Sequence, residues 1–280
     1  MSEMKTPDQP AADSPMPFLG HLEVLRWCLV RSLIAVAAGF GVSLLMVRRL
    51  LELLEMPLRK GGLNLVDAPM QLRTLSVAES FTALLTLAFV SGLALALPYF
   101  LFEIWRFVSP GLTPKERKAV GPLLFWGTFF FFGGVAFTHN IVLPPAINYF
   151  LKLNREFGLA AEWRILDYMN FTLTMLFVSG LMAELPILTV VLARFGIVSA
   201  PFLIHYWRHA VVILFVVAAV LTPSTDALTM LLLAGPLMGL FALSILLAKI
   251  FYVPSSVFGP APDTLIRPAA KIVDERHDAS

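Results

Sequence analysis

Two carboxylates stand inside otherwise apolar stretches of this chain, Glu103 and Glu184. A charged side chain held mid-bilayer costs about 2.5–3.5 kcal/mol even on lenient scales, so such acids are candidates for binding a cation, relaying a proton or polarising a pocket. Glu184 lies well inside its apolar stretch, and Pro186 follows it closely. A proline has no N–H to give, so it frees a carbonyl one turn back, bends the helix and leaves a polar spot beside the acid. Glu103 is nearer a segment end and can pair with Arg106, one turn on. A third acid, Glu116, follows Thr113 and Pro114 at the spacing of a capping box, which reads as the start of a helix. His205 and His209 are four residues apart, a spacing that suits a metal, but their place ahead of an apolar run reads better as an interfacial pair. No metal or cofactor is expected. The zinc H-E-x-x-H, the G-x-S-x-G elbow and the G-x-x-x-x-G-K-[ST] phosphate loop are missing from the sequence. The expectation is therefore neither an enzyme nor a nucleotide-driven motor.

These residues must be held by elements suited to lipid. Of the 280 residues 58% are hydrophobic and only 14% charged, against roughly 25% charged in a soluble domain. The net charge of +2 is too small to suggest nucleic acid. Cys28 is the one cysteine, which excludes an internal disulfide. Charges punctuate the chain into six apolar spans, about 27–47, 80–102, 119–143, 168–193, 209–222 and 227–250. Only a helix satisfies its own backbone groups in hydrocarbon, so the fold class is all-α, a polytopic membrane protein with six transmembrane helices. The fifth span is short and must cross obliquely or thin the bilayer. Residues 222–226, carrying Thr222 and Asp226, read as a tight turn between spans five and six.

Six spans put both termini on one side. That side carries thirteen Lys and Arg, the other eight, so the positive-inside rule places both termini in the cytoplasm. Residues 1–15 and 253–280 are polar and expected to be disordered, flanking a membrane domain at 16–252. The polar start carries Asp8 and Asp13, unlike a secretory leader, so the first span is expected to be retained. The stretch Arg48–Lys60 looks amphipathic and should lie on the outer surface. The run Phe89-Val90-Ser91-Gly92-Leu93, Leu97-Pro98, Arg106-Phe107 recurs 88 residues later, with nine of nineteen positions matching. Shared helix packing and duplication explain this echo equally well. On the residues alone, a proton- or cation-coupled secondary transporter using Glu103 and Glu184 stays open.

The ordered set Met16-Pro17, His21-Leu22, Leu25-Arg26, Leu101 to Phe107, Pro110-Gly111-Leu112, Glu116-Arg117, Ala136-Phe137, Pro144, Glu184-Leu185-Pro186, Leu221-Thr222-Pro223 and Asp226 resembles the TatC family of the twin-arginine protein translocase. The resemblance runs from about Met16 to Tyr252. It implies a glove-like, concave membrane protein of the bacterial-type cytoplasmic (inner) membrane that recognises twin-arginine signal peptides on folded precursors. It further implies transport driven by the protonmotive force, single-span TatA- and TatB-like partners, and a homo-oligomer within a larger complex. By the same resemblance, Glu23, Arg26, Glu116 and Arg117 bind the signal peptide, while Glu184, Pro186 and Glu103 belong to an intramembrane pocket. Thr222 and Asp226 would be polar residues on the external side. Carboxylates suit the signal's guanidinium groups because both are planar and bond bidentately. Four positions depart from the family pattern: Val24 where a Glu is usual, Glu103 for a Gln, His139 for a Tyr, and Ala242 for a Glu.

Overall fold

The computed structural model describes residues 18–62, 72–108, 120–159, 162–194, 197–221 and 227–251. It is all-helical apart from one isolated bridge between Arg73 and Arg164. Helix α1 (Phe18–Leu45) crosses first, followed by α2 (Val47–Gly62) and α3 (Val77–Val108). Helix α4 (Val120–Phe137) runs through a π-helical turn (Thr138–Val142) into α5 (Leu143–Glu156). Then come α6 (Ile165–Ala183), α7 (Leu185–Arg194), short α8 (Ala200–His205), α9 (Trp207–Leu221) and α10 (Ala227–Phe251).

Among the described residues five helical runs are long and apolar enough to cross a membrane: 22–45, 77–107, 121–156, 165–194 and 230–251. The sixth, α9, has 15 residues. At 1.5 Å per residue it rises only about 22 Å, short of the roughly 30 Å hydrocarbon core. This agrees with the short fifth span read from the sequence. The third span differs in length, because the helix continues to Glu156 instead of stopping near residue 143. The reason is the π-turn. Leu143 N–H donates to the Thr138 carbonyl five residues back, and Pro144 and Pro145 then fall in the first turn of α5, where no N–H is needed.

Lipid-facing helices need not alternate polar and apolar faces, and α1 leaves Leu33 and Ile34 largely exposed. Helix packing instead uses small residues. A Cβ on Gly39 would collide with the Gly92 carbonyl oxygen, and one on Gly92 would lie 2.5 Å from Phe40 N. A Cβ on Gly134 would come 2.8 Å from the Ser179 carbonyl, and one on Gly180 would come 2.7 Å from the Phe131 ring. So α1 meets α3, and α4 meets α6, with backbones in contact. Gly92 and Gly180 are corresponding positions of the internal echo.

The main core gathers Leu54 and Leu58 of α2, Leu87 of α3, Leu143 and Ile147 of α5, Met169 and Met175 of α6, and Leu233 of α10. It lies toward the α2 side. At the Phe18 side packing is sparser, with a small cluster of Ala193, Ala200 and Ala248.

Candidate functional site

The break between α6 and α7 falls at Glu184. Pro186, fully buried, withholds the bond to the Met182 carbonyl. Glu184 N–H turns instead to the Leu181 carbonyl at 3.1 Å, and the helix resumes with Leu188 N–H to the Glu184 carbonyl at 2.9 Å. The side chain leaves this break toward α4 and settles on Gly127. A Cβ there would lie 3.0 Å from Oε2 and 3.5 Å from Oε1 of Glu184. Among the described residues Oε1 is buried without a hydrogen-bond partner. An acid seated on a glycine in this way is open to an incoming donor, such as a polar group of a peptide or neighbouring helix.

Glu103 is handled differently. It is 2% exposed, and Tyr99 donates its hydroxyl to Oε1 at 2.9 Å. The same oxygen lies 3.9 Å from Arg31 of α1 and 3.8 Å from Arg106 one turn on. The Arg106 pairing matches the sequence expectation. Arg31 was not foreseen, since nothing in its spacing ties it to a residue 72 positions away. Arg31 also accounts for the charge at this position, because its guanidinium from the facing helix neutralises it. The two intramembrane acids therefore face different helices, α1 and α4, and do not form a common cation site.

At the Phe18 end of α1, Glu23 and Arg26 are exposed. The Arg26 and Arg31 guanidinium carbons each stand 6.0 Å from the Trp27 ring centre, within cation–π range of one indole. Among the described residues no cation pairs with Glu23, leaving its carboxylate available. Glu116, Arg117, Thr222 and Asp226 lie outside the described residues, as do both polar termini expected at 1–15 and 253–280. His205 and His209 flank Tyr206, with ring centres 5.0 and 5.7 Å from it, and among the described residues no group of three metal-ligating side chains occurs.

On the opposite side, α2 is fastened by groups the sequence did not single out together. Pro57 leaves the Leu53 carbonyl without its helical donor, and His139 Nε2 bonds that oxygen at 2.8 Å. A carbonyl only accepts, so the ring donates. Tyr168 donates its hydroxyl to the Leu54 carbonyl, and Lys60 reaches Asn140 Oδ1 at 3.1 Å. The surface helix expected at Arg48–Lys60 is present within α2, pinned onto the π-turn. Nearby, Arg73 N–H donates to the Trp163 carbonyl and the Arg73 carbonyl accepts from Ile165 N–H, and buried Glu79 takes Arg164 at 3.3 Å.

Residues 20–236 match the family described as TatC, Sec-independent protein translocase protein. The TatC protein of Deinococcus radiodurans is 34% identical over 271 residues, covering 94% of this chain and 99% of that protein. The TatC protein of Koribacter versatilis is 35% identical, covering 82% and 84% respectively. A crystal structure described as the twin arginine translocase receptor TatC superposes with a TM-score of 0.72 at 31% identity. It covers 82% of this chain and 98% of that one.

Proposed function

The chain belongs to the TatC family of Sec-independent protein translocases, and from that premise we propose that it is the subunit that receives twin-arginine signal peptides. The observation that carries this reading is the fold-wide likeness to a protein described as the twin arginine translocase receptor. The family is one of translocase subunits, not enzymes, and its membership favours this reading over a secondary transporter. The geometry adds to that preference, since Arg31 and Arg106 already neutralise Glu103.

In this reading Glu23 and Glu116 receive the two arginines of the signal, with Arg26 and Arg117 shaping the electrostatics around them. The carboxylate of Glu23, without an ion-pair partner among the described residues, supports the first half of that assignment. It stands one residue before Val24, where the family usually has its acid, and so supplies the charge from the neighbouring position. The apolar part of the signal follows the groove between α3 and α4, a cavity of about 680 Å³ lined by Pro98, Phe125 and Phe129. Glu184 serves as the polar station beyond it, taking a donor from the peptide or from a single-span partner. Thr222 and Asp226 lie on the external side, both termini lie in the cytoplasm, and the chain works in an inner membrane with TatA- and TatB-like subunits and further copies of itself.

The test is binding of a labelled signal peptide to membranes containing this protein, with Arg-Arg and with Lys-Lys at the motif. Arg-Arg binds at least about tenfold tighter, because a guanidinium makes two charge-assisted bonds where an ammonium acts as a point charge. Glu116→Ala and Glu23→Ala each shrink that ratio. Equal binding of the two peptides, with partner subunits present, refutes the receptor role.

A further inference from the structure

Arg194 ends helix α7, and its guanidinium carbon stands 5.3 Å from the Phe251 ring centre at the end of α10. Among the described residues no carboxylate comes within ion-pair distance of it. The internal echo makes the contrast plain. The corresponding Arg106 has Glu103 three residues earlier, whereas the residue three before Arg194 is Val191. A ring contact orients a guanidinium but leaves its N–H edge free to donate.

This guanidinium borders a cavity of about 500 Å³ between α4, α7 and α10. The other walls are apolar, among them Leu123, Trp126, Phe130, Val190 and Leu243. Along α10 the lining runs from Phe251 back to Leu243, about 12 Å of helix. The guanidinium thus sits where α7 and α10 end, and the apolar space runs inward from it. A volume of this size lies within the roughly 300–1,000 Å³ of ligand-holding cavities.

We propose that this cavity binds an anionic phospholipid, its phosphate on Arg194 and one acyl chain between α4, α7 and α10. Charge complementarity selects the headgroup: a planar guanidinium matches phosphate oxygens bidentately, and basic pockets between transmembrane helices hold anionic headgroups. A zwitterionic lipid brings its own cation to the phosphate and gains less from Arg194. Free phosphate lacks the chain, and with it the apolar burial that fills the cavity.

Trp126 lines the cavity and reports its occupancy. The protein in neutral detergent is titrated with phosphatidylglycerol or phosphatidylcholine of identical brominated chains, and the signal is the quenching that Trp126→Phe abolishes. Phosphatidylglycerol should quench at roughly tenfold lower concentration or better, as expected for charge-assisted bonds to one guanidinium. Arg194→Gln should bring the two lipids within about threefold of each other. Val190→Phe, which fills the cavity and leaves the cation in place, should weaken both. Equal quenching by the two lipids in the unaltered chain overturns the proposal, as does a tenfold preference that survives Arg194→Gln. Quenching untouched by Val190→Phe puts the chain elsewhere and overturns the cavity assignment. Displacement of the lipid by millimolar inorganic phosphate alone would reduce the site to a phosphate site and overturn it as well.

Discussion

Pro57 and His139 show how one residue can create a need that a distant one meets. In α2 the Leu53 carbonyl loses its partner to proline chemistry, and an imidazole from the π-turn restores it at 2.8 Å. This gives a physical reason for histidine at a position where the family commonly carries tyrosine, since either side chain offers a donor. His139→Phe should lower stability in detergent by about 1 kcal/mol, the net worth of a typical hydrogen bond. In a Pro57→Ala background the helix supplies its own donor to Leu53, so the same substitution should cost well under about 1 kcal/mol. Thermal unfolding of the four variants measures this, and equal costs in both backgrounds would refute the assignment. Glu103 follows the same logic, since Arg31 on the facing helix neutralises a charge that its own sequence neighbourhood leaves only half explained.

At the scale of elements, the echo between residues 89–107 and 177–195 has a structural meaning. Each copy places a glycine, Gly92 or Gly180, against the preceding long helix, and the partner helix answers with Gly39 or Gly134. Two backbone-to-backbone helix pairs, α1 with α3 and α4 with α6, are thereby built on one pattern. Gly92→Ala forces a methyl group into the α1 backbone and should cost about 1–3 kcal/mol or more, as overpacking does. Gly41→Ala meets nothing within 4 Å and should be neutral or stabilising by up to about 1 kcal/mol. Comparable losses in the two variants, read from unfolding midpoints, would mean that the close approach does not govern this helix pair. The second copy diverges at its proline. Pro98 leaves α3 continuous, whereas Pro186 accompanies a break that presents Glu184 to Gly127.

Across the whole molecule, packing is unequal between its two ends. Helices α2 and α5 and the first turns of α6 close one end around a shared core, while the Phe18 end keeps the cavity beside Arg194 and the exposed start of α1. A receptor that engages peptides from one side suits a frame rigid on the other. On the proposed topology, which the charge asymmetry favours, the open end faces the cytoplasm. With Cys28 replaced by Ala, Lys60→Cys should react with a membrane-impermeant maleimide added outside intact spheroplasts, and Lys249→Cys should react only after lysis. The reverse pattern would invert the topology and place Glu23 on the wrong face for a precursor arriving from the cytoplasm.

Much of this was legible in the linear chain. Apolar stretches poor in charge marked where the long helices fall, because hydrocarbon excludes charge and unpaired backbone whatever the neighbours are. The short α9, the amphipathic α2 and the Glu184–Pro186 kink were readable for the same reason: each depends on residues a few positions apart. Tertiary structure alone decided which groups meet. Arg31 with Glu103, His139 with the carbonyl freed by Pro57, Gly127 beneath Glu184 and Arg194 above an apolar cavity are separated by tens of residues in sequence, apart from that last lining around α7. Local periodicity says which face of a helix is apolar, not which helix comes to cover it. That choice rests on backbone approach and on satisfying buried polar groups, and both are settled only when the helices pack.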